Sequence, residues 1–127
     1  MTSEEIYNQV QGFVQMTIEE ASLLFSYAEK IANGSVLVEL GTYKGGSARI
    51  LSEAKKNSKI FTIDNFRIDT YPARVDTAGP EAEARGNLKE AENVTLLVGD
   101  NAVFAKNWQF IKGAKPIRLL FIDSDHR

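Results

Sequence analysis

The first quarter of the chain has the apolar period of helices. The sequences TSEE and TIEE, which begin at Thr2 and Thr17, have the spacing of a capping box, in which side chains bond the free amides of a helix start. After Thr17, apolar residues recur on one helical face, at Ile18, Ala21, Leu24, Phe25, Ala28 and Ile31. The pair Asn33-Gly34 is typical of a left-handed helix end. The pattern therefore predicts N-terminal helices within residues 1–33.

The pattern then changes to short apolar runs separated by amphipathic stretches. The runs are strand-like and cover residues 36–40, 59–63, 94–98 and 117–122. Helical stretches lie between them, at 45–56, about 80–91, and 102–112. Strands that alternate with helices predict right-handed crossovers and an α/β fold, in which helices cover both faces of a mainly parallel sheet. Residues 65–80 have neither period, and we expect a long loop at the ligand-binding edge.

The alternation stops after the fourth strand, although doubly wound sheets usually have more strands than this. We therefore interpret residues 1–127 as a single, partial domain. We expect a fragment, a truncated gene product, or a domain that completes itself by oligomerising. A last strand as apolar as LLFI would leave an unpaired edge, and such an edge favours pairing with another chain. The sequence thus predicts a homo-oligomer.

Composition narrows the classes of partner. The 127 residues carry a net charge of −2, with Lys and Arg scattered among Asp and Glu, so we expect neither nucleic acid nor an anionic membrane as a partner. The chain has no cysteine, which excludes disulfides and thiolate chemistry. The N-terminus is acidic and lacks the apolar run of a signal peptide or a membrane helix, so we expect a cytoplasmic protein.

The segment VLVELGTYKGGSARIL, residues 36–51, is the main candidate for chemistry, because ligands of open α/β sheets bind beyond the carboxyl ends of the strands. A phosphate-binding P-loop requires Gly-Lys-Ser or Gly-Lys-Thr, but here Lys44 precedes the glycine pair. A dinucleotide fingerprint requires a glycine two residues after Gly41, where this chain has Tyr43. Both of these interpretations fail on spacing.

The same segment, ELGTYKGGS, resembles motif I of the class I S-adenosylmethionine-dependent methyltransferases. It is most similar to their small-molecule O-methyltransferase branch, which includes catechol-type and macrocin-type enzymes. The resemblance extends over about residues 17–127. It implies a Rossmann-like doubly wound fold with strand order 3-2-1-4, S-adenosylmethionine as cofactor, and a small-molecule hydroxyl as methyl acceptor.

The resemblance also implies roles for individual residues. Glu39 would lie near the amino group of the cofactor, directly or through water, and the Ser47 hydroxyl would reach its carboxylate. The corner that lines the methionine end would consist of Gly41, Thr42, Tyr43, Gly45, Gly46 and Ser47. Asp64, followed by Asn65, would take both ribose hydroxyls, since a carboxylate accepts two hydrogen bonds at once.

The third strand is followed by a further predicted contact, because Gly99, Asp100 and Asn101 stand where family members contact the adenine edge. The alternative for Asp64 and Asp100 is structural, since acids at strand ends often cap the next helix. Phe104, Trp108, Phe110 and Ile111 lie near the adenine side in this interpretation, where an aromatic ring could stack on the purine, but the helical spacing of 104, 108 and 111 favours core packing.

The fourth strand would carry the reaction itself. Asp123 stands where metal-dependent O-methyltransferases place a metal-binding Asp, so the resemblance implies Mg²⁺ that holds the acceptor oxygen. His126 follows three residues later and would act as a base, because imidazole titrates near neutral pH. The alternative for His126 is an exposed residue in a frayed terminus. The remaining metal ligands of these relatives come from a later segment that this sequence does not contain.

Three hypotheses on function follow. The first is an S-adenosylmethionine-dependent methyltransferase that acts on a small-molecule hydroxyl with metal assistance. The second is a non-catalytic module that binds the cofactor or a nucleotide and oligomerises. The third is an NAD-dependent oxidoreductase, which competition between nicotinamide and adenosylmethionine cofactors would separate from the first.

Overall fold

The described part of the chain folds as four parallel strands connected by helices. The computed structural model describes residues 1–66, 79–111 and 116–122. The helices are α1 (Ser3–Val10), α2 (Ile18–Glu29), α3 (Gly46–Ala54), α4 (Gly79–Leu88) and α5 (Asn101–Lys106), with 3-10 turns at Gln11–Phe13 and Trp108–Phe110. The strands are β1 (Val36–Leu40), β2 (Lys59–Asp64), β3 (Val94–Val98) and β4 (Ile117–Ile122). They pair in parallel in the order β3-β2-β1-β4, which confirms the predicted fold class and strand order.

The first two helices begin where the capping boxes predicted. Thr2 and Thr17 each accept the N–H of the glutamate three residues later, and that glutamate accepts the N–H of the threonine in return. The predicted end of α2 was wrong. The helix ends at Glu29, with Lys30 as a right-handed cap, whereas Gly34 (φ +82°) forms the turn into β1. The Gly34 N–H donates to the carbonyl of Asn57 (2.9 Å), so its left-handed conformation serves the strand and not the helix.

Two of the later helices are shorter than predicted, and their ends have local causes. In α5, the Asn107 side chain donates to the Val103 carbonyl (2.8 Å), which is a side-chain alternative to continuing the helix, and a 3-10 turn follows. In α4, the chain leaves the helix after Leu88, shortly after Gly86. Residues 67–78 and 112–115 of the predicted loop and helix lie outside the described residues.

Alternate residues of the strands form cores on opposite faces of the sheet. Leu37 and Ile60 pack with residues of α1, α2 and α3 on one face. Val38 and Phe61 belong to the other face, which α5 and the following 3-10 turn cover through Phe104, Trp108 and Ile111. Trp108 meets Phe61 edge to face, with ring centroids 5.1 Å apart. Helices thus cover both faces, and the core packing predicted for the 104, 108 and 111 positions is confirmed.

Strand β4 is an edge of the sheet within the described residues, where β1 is its partner. Leu119 and Phe121 pack against the core on the face of α1–α3, but Leu120 and Ile122 on the other face remain 48% and 56% exposed. Among the described residues, no helix has both the length and the apolar character needed to cross a membrane. Because the strands are parallel, their carboxyl ends lie along one edge, and the residues that directly follow β1, β2 and β3 meet there.

Candidate functional site

The loop between β1 and α3 makes a tight corner at this edge. Gly41 (φ +100°) and Gly45 (φ +93°) adopt left-handed conformations, and Tyr43 (φ +50°) does so without being a glycine. The Gly41 N–H donates to the Ile63 carbonyl (2.8 Å), which extends the pairing of β1 with β2, and the Gly45 N–H closes the turn on the Thr42 carbonyl (2.9 Å). Gly45 is then the N-cap of α3. The corner therefore needs glycine at 41 and 45 for its backbone path.

The glycine pair is also shaped by the packing of the chain on itself. A Cβ at Gly46 would lie 2.6 Å from the Phe13 carbonyl oxygen and 2.6 Å from the Val14 Cβ. A Cβ at Gly45 would lie 3.0 Å from the Leu88 side chain of α4. At Gly45 and Gly46, the space that a side chain would need is thus occupied by α4 and the N-terminal segment. What the helix start offers a ligand is its first-turn N–H groups, which have no partner within the helix.

A buried hydrogen-bond network lies beneath the corner. The Glu39 side chain is fully buried and accepts hydrogen bonds on both carboxylate oxygens, from the Ser47 hydroxyl and from the Thr62 hydroxyl (2.7 Å). The Thr42 and Thr62 hydroxyl oxygens are 2.7 Å apart. Because a hydroxyl has a single hydrogen and Thr62 gives its own to Glu39, Thr42 is the donor of that second bond. The network runs from Thr42 through Thr62 to Glu39, and Ser47 closes it from α3.

This network changes how Ser47 can meet a ligand. The Ser47 hydroxyl hydrogen is already donated to Glu39, so the predicted bond from this hydroxyl to a cofactor carboxylate requires that hydrogen bond to be exchanged. The Ser47 backbone N–H belongs to the first turn of α3 and requires no such exchange. Likewise, Glu39 has no exposed surface, so it can act on a ligand only through the groups that cover it.

Asp64, at the end of β2, fastens the corner from the other side. One carboxylate oxygen accepts the Thr42 N–H (2.9 Å) and the Tyr43 N–H (3.1 Å). The other oxygen accepts the Phe66 N–H (2.9 Å). The structural alternative for Asp64 in the sequence was a helix cap. Its carboxylate instead bonds the backbone of the corner and of Phe66, just after β2. Asn65, the next residue, is exposed at the same edge.

The loop after β3 brings a third set of predicted residues to this edge. Asp100 is exposed and accepts the Ala102 N–H (2.7 Å), so it is the N-cap of α5, as its structural alternative predicted. Asn101 is the first residue of that helix and is partly buried. A Cβ at Gly99 would lie 2.9 Å from the Phe104 ring, and the Gly99 N–H donates to the Asp64 carbonyl (2.9 Å). One edge of the sheet therefore carries the residues predicted to contact the methionine end, the ribose and the adenine of the cofactor.

Asp123 and His126, the predicted metal ligand and base, lie outside the described residues, which end at Ile122. Within residues 1–66, 79–111 and 116–122, no group of three or more His, Asp or Glu side chains is arranged to hold a metal ion. The magnesium site and the catalytic base stay predictions from the resemblance.

Sequence reasoning missed Thr62. It is fully buried and, through its hydroxyl, links Glu39 to the corner. A signal was present, because the strand sequence KIFTID has a polar residue at an otherwise apolar position, two residues before Asp64. Only the register of β1 with β2, which pairs Glu39 with Thr62, shows that the two side chains lie side by side.

Comparisons with known proteins identify a family and solved structures of similar fold. Residues 38–127 match a family model described as a methyltransferase domain. The fold is similar to that of TomG, an O-methyltransferase from Streptomyces achromogenes solved in complex with S-adenosylmethionine (TM-score 0.67, 18% identity), over 96% of this chain and 51% of that one. It is also similar to an O-methyltransferase from Bacillus cereus solved with S-adenosylhomocysteine (TM-score 0.64, 19% identity), over 97% of this chain and 54% of that one. The chain thus spans about half the length of these solved structures.

Proposed function

This chain belongs to the methyltransferase domain family, and we propose that it binds S-adenosylmethionine at the carboxyl edge of its sheet for methyl transfer to a hydroxyl of a small molecule. The observation that supports this most is the convergence of three loops. Three adjacent parallel strands end at this edge. They bring together the corner above buried Glu39, the Asp64 carboxylate and the Gly99–Asn101 segment. The O-methyltransferases of similar fold, one of them from a biosynthetic route to tomaymycin, support oxygen on a small molecule as the acceptor.

The donor groups at this edge match the chemistry of the cofactor. In our proposal, first-turn N–H groups of α3 bind its carboxylate, since a helix start favours anions. The buried charge of Glu39 favours its ammonium group. Asp64 accepts the ribose hydroxyls, as the family resemblance implies, and Asp100 with Asn101 faces the adenine. Thr42, Tyr43 and the glycines at 41, 45 and 46 form the wall between them.

The chemistry requires mainly positioning. When bound, S-adenosylmethionine supplies a methyl group on a sulfonium sulfur, which passes to the acceptor oxygen in one displacement. The contribution of this chain is to fix the methyl donor against the sheet edge, so that the reactants meet in a productive orientation. The family resemblance adds two residues to the proposal. His126 would be the base that takes the hydroxyl proton, and Asp123 would be a ligand of Mg²⁺.

Binding of S-adenosylhomocysteine tests the proposal. In calorimetric titration of the purified protein we expect a dissociation constant in the micromolar range, or about −8 kcal/mol. NAD, which also carries adenine and ribose, should not bind at comparable concentrations, because the corner lacks the second glycine of a dinucleotide site. Tighter binding of NAD would favour the oxidoreductase hypothesis. Binding of S-adenosylhomocysteine without methyl transfer to any of a panel of alcohols and phenols, with and without Mg²⁺, would favour the non-catalytic module.

The cytoplasmic location of the protein stays a prediction. We also propose that the protein forms a homo-oligomer through the β4 edge. The half-exposed Leu120 and Ile122 beside the edge support this assembly, since an apolar edge strand favours pairing with an identical one. Sedimentation velocity over a concentration series should show a dimer that Leu120→Lys converts to a monomer. Leu23→Lys, at an exposed leucine on α2, is the matched control and should leave the dimer intact. A monomeric wild type at every concentration would contradict the proposal.

A further inference from the structure

The network beneath the corner contains one residue to which neither motif nor resemblance gives a role. Thr62 is fully buried in the middle of the sheet and bonds two groups at once, since its hydroxyl donates to Glu39 and accepts from Thr42. Its neighbours on this face of β2 are the apolar Ile60 and the corner-binding Asp64, each two residues away. A threonine at this place is not required by packing, because valine has nearly the same shape.

We propose that Thr62 is a positioning residue for the methionine end of the ligand site. Its hydroxyl fixes the rotamer of Glu39 and, through Thr42, the path of the corner above it. Both bonds are 2.7 Å long and lie out of contact with solvent, where a hydrogen bond to a carboxylate is strong. This inference rests on the proposed function, because it assumes that the corner receives the amino-acid part of S-adenosylmethionine.

Thr62 should affect the methionine end of the ligand site and not the nucleoside end. β2 fastens the corner at two points, through Asp64 to the backbone of Thr42 and Tyr43 and through Thr62 to the Thr42 side chain. Asp64 also holds Phe66, on the side of the predicted ribose contact. Thr62 instead leads to Glu39 and then to Ser47 in the first turn of α3. Loss of the Thr62 hydroxyl should therefore disturb the recognition of ammonium and carboxylate and spare that of the nucleoside.

The test compares two ligands on Thr62→Val and Thr62→Ser. S-adenosylhomocysteine has the amino-acid part, whereas 5′-methylthioadenosine keeps the adenine, ribose and sulfur but lacks it. For Thr62→Val we expect affinity for S-adenosylhomocysteine to fall about 10-fold, the usual effect of one hydrogen bond to a charged group. Affinity for 5′-methylthioadenosine should stay within about 2-fold of the wild-type value, because each lost hydrogen bond lies at the methionine end of the site. Thr62→Ser keeps the hydroxyl, so its affinities for both ligands should equal those of the wild type.

A double variant shows whether Thr62 acts through Glu39. Glu39→Gln alone should weaken S-adenosylhomocysteine selectively, and adding Thr62→Val should weaken it little further, because the two residues are in one chain of bonds. Circular dichroism melting of each variant establishes that it is folded at the titration temperature. Equal losses for both ligands, or fully additive losses in the double variant, would overturn the positioning role while leaving the proposed function intact. A wild-type protein that binds neither ligand would overturn the proposed function and this inference with it.

Discussion

Asp64→Ala should abolish most binding of S-adenosylhomocysteine, with a loss of about 100-fold or more in affinity. The variant removes the carboxylate proposed to take the ribose hydroxyls, and each hydrogen bond to a charged group contributes about 1.5–3 kcal/mol. It also removes the acceptor for the N–H groups of Thr42, Tyr43 and Phe66, so the corner and the loop after β2 lose their common anchor. Calorimetric titration measures the affinity, and urea unfolding measures the stability.

The two effects of this substitution can be separated. Loss of the three backbone bonds should lower the free energy of unfolding by about 2–3 kcal/mol, since unsatisfied amides at a partly buried site are costly. Asp64→Asn retains one acceptor oxygen for Thr42 and Tyr43, so it should recover part of the stability but little of the affinity. Glu90→Ala removes the same charge from an exposed position and is the control, expected to leave both quantities unchanged. An Asp64→Ala protein that binds like the wild type would exclude Asp64 from the ligand site.

Gly46→Ala should lower the free energy of unfolding by about 3 kcal/mol, the upper end of the usual cost of overpacking. The new Cβ would lie 2.6 Å from both the Phe13 carbonyl oxygen and the Val14 Cβ, and a backbone oxygen cannot move without shifting the segment that carries it. Gly86→Ala is the matched control on α4. Nothing lies within 4 Å of its added Cβ, so it should stabilise the protein by about 0.5–1 kcal/mol through helix propensity.

This pair of variants also decides why the chain has glycine at position 46. If the glycine is there for internal packing, Gly46→Ala loses stability even without ligand, as the contacts with Phe13 and Val14 require. If it is there only for a ligand, unfolding in the absence of ligand is unchanged and only the affinity for S-adenosylhomocysteine falls. Urea unfolding with and without saturating S-adenosylhomocysteine distinguishes these outcomes.

The helices and strands were predicted well where residues close together in the sequence determine them. The capping boxes at Thr2 and Thr17 depend on residues three positions apart, and both are present. The strands were predicted to within a residue, because a buried parallel strand must be a short apolar run. The end of α2 was predicted incorrectly, since the left-handed Gly34 bonds Asn57, a partner far away in the sequence.

The candidate site was predicted less completely, for the same physical reason. Motif spacing identified Glu39, Ser47 and Asp64, because each stands at a strand end or a helix start. It did not identify Thr62, whose importance comes from its register with Glu39. Nor did it show that Asp100 caps α5 whereas Asp64 binds the corner, since both acids look alike in sequence.

The sequence by itself determined the alternation of strands and helices, the glycine corner and the acids at three strand ends, because periodicity and backbone conformation are properties of short segments. The tertiary structure decided which groups those acids bond, that Gly46 makes room for Phe13 and Val14, and that Thr62 joins Glu39 to Thr42. Apart from the bonds of Asp64 to Phe66 and of Asp100 to Ala102, these contacts join residues from 8 to more than 30 positions apart, and only the packing of the helices on the sheet brings such residues within hydrogen-bond or van der Waals distance.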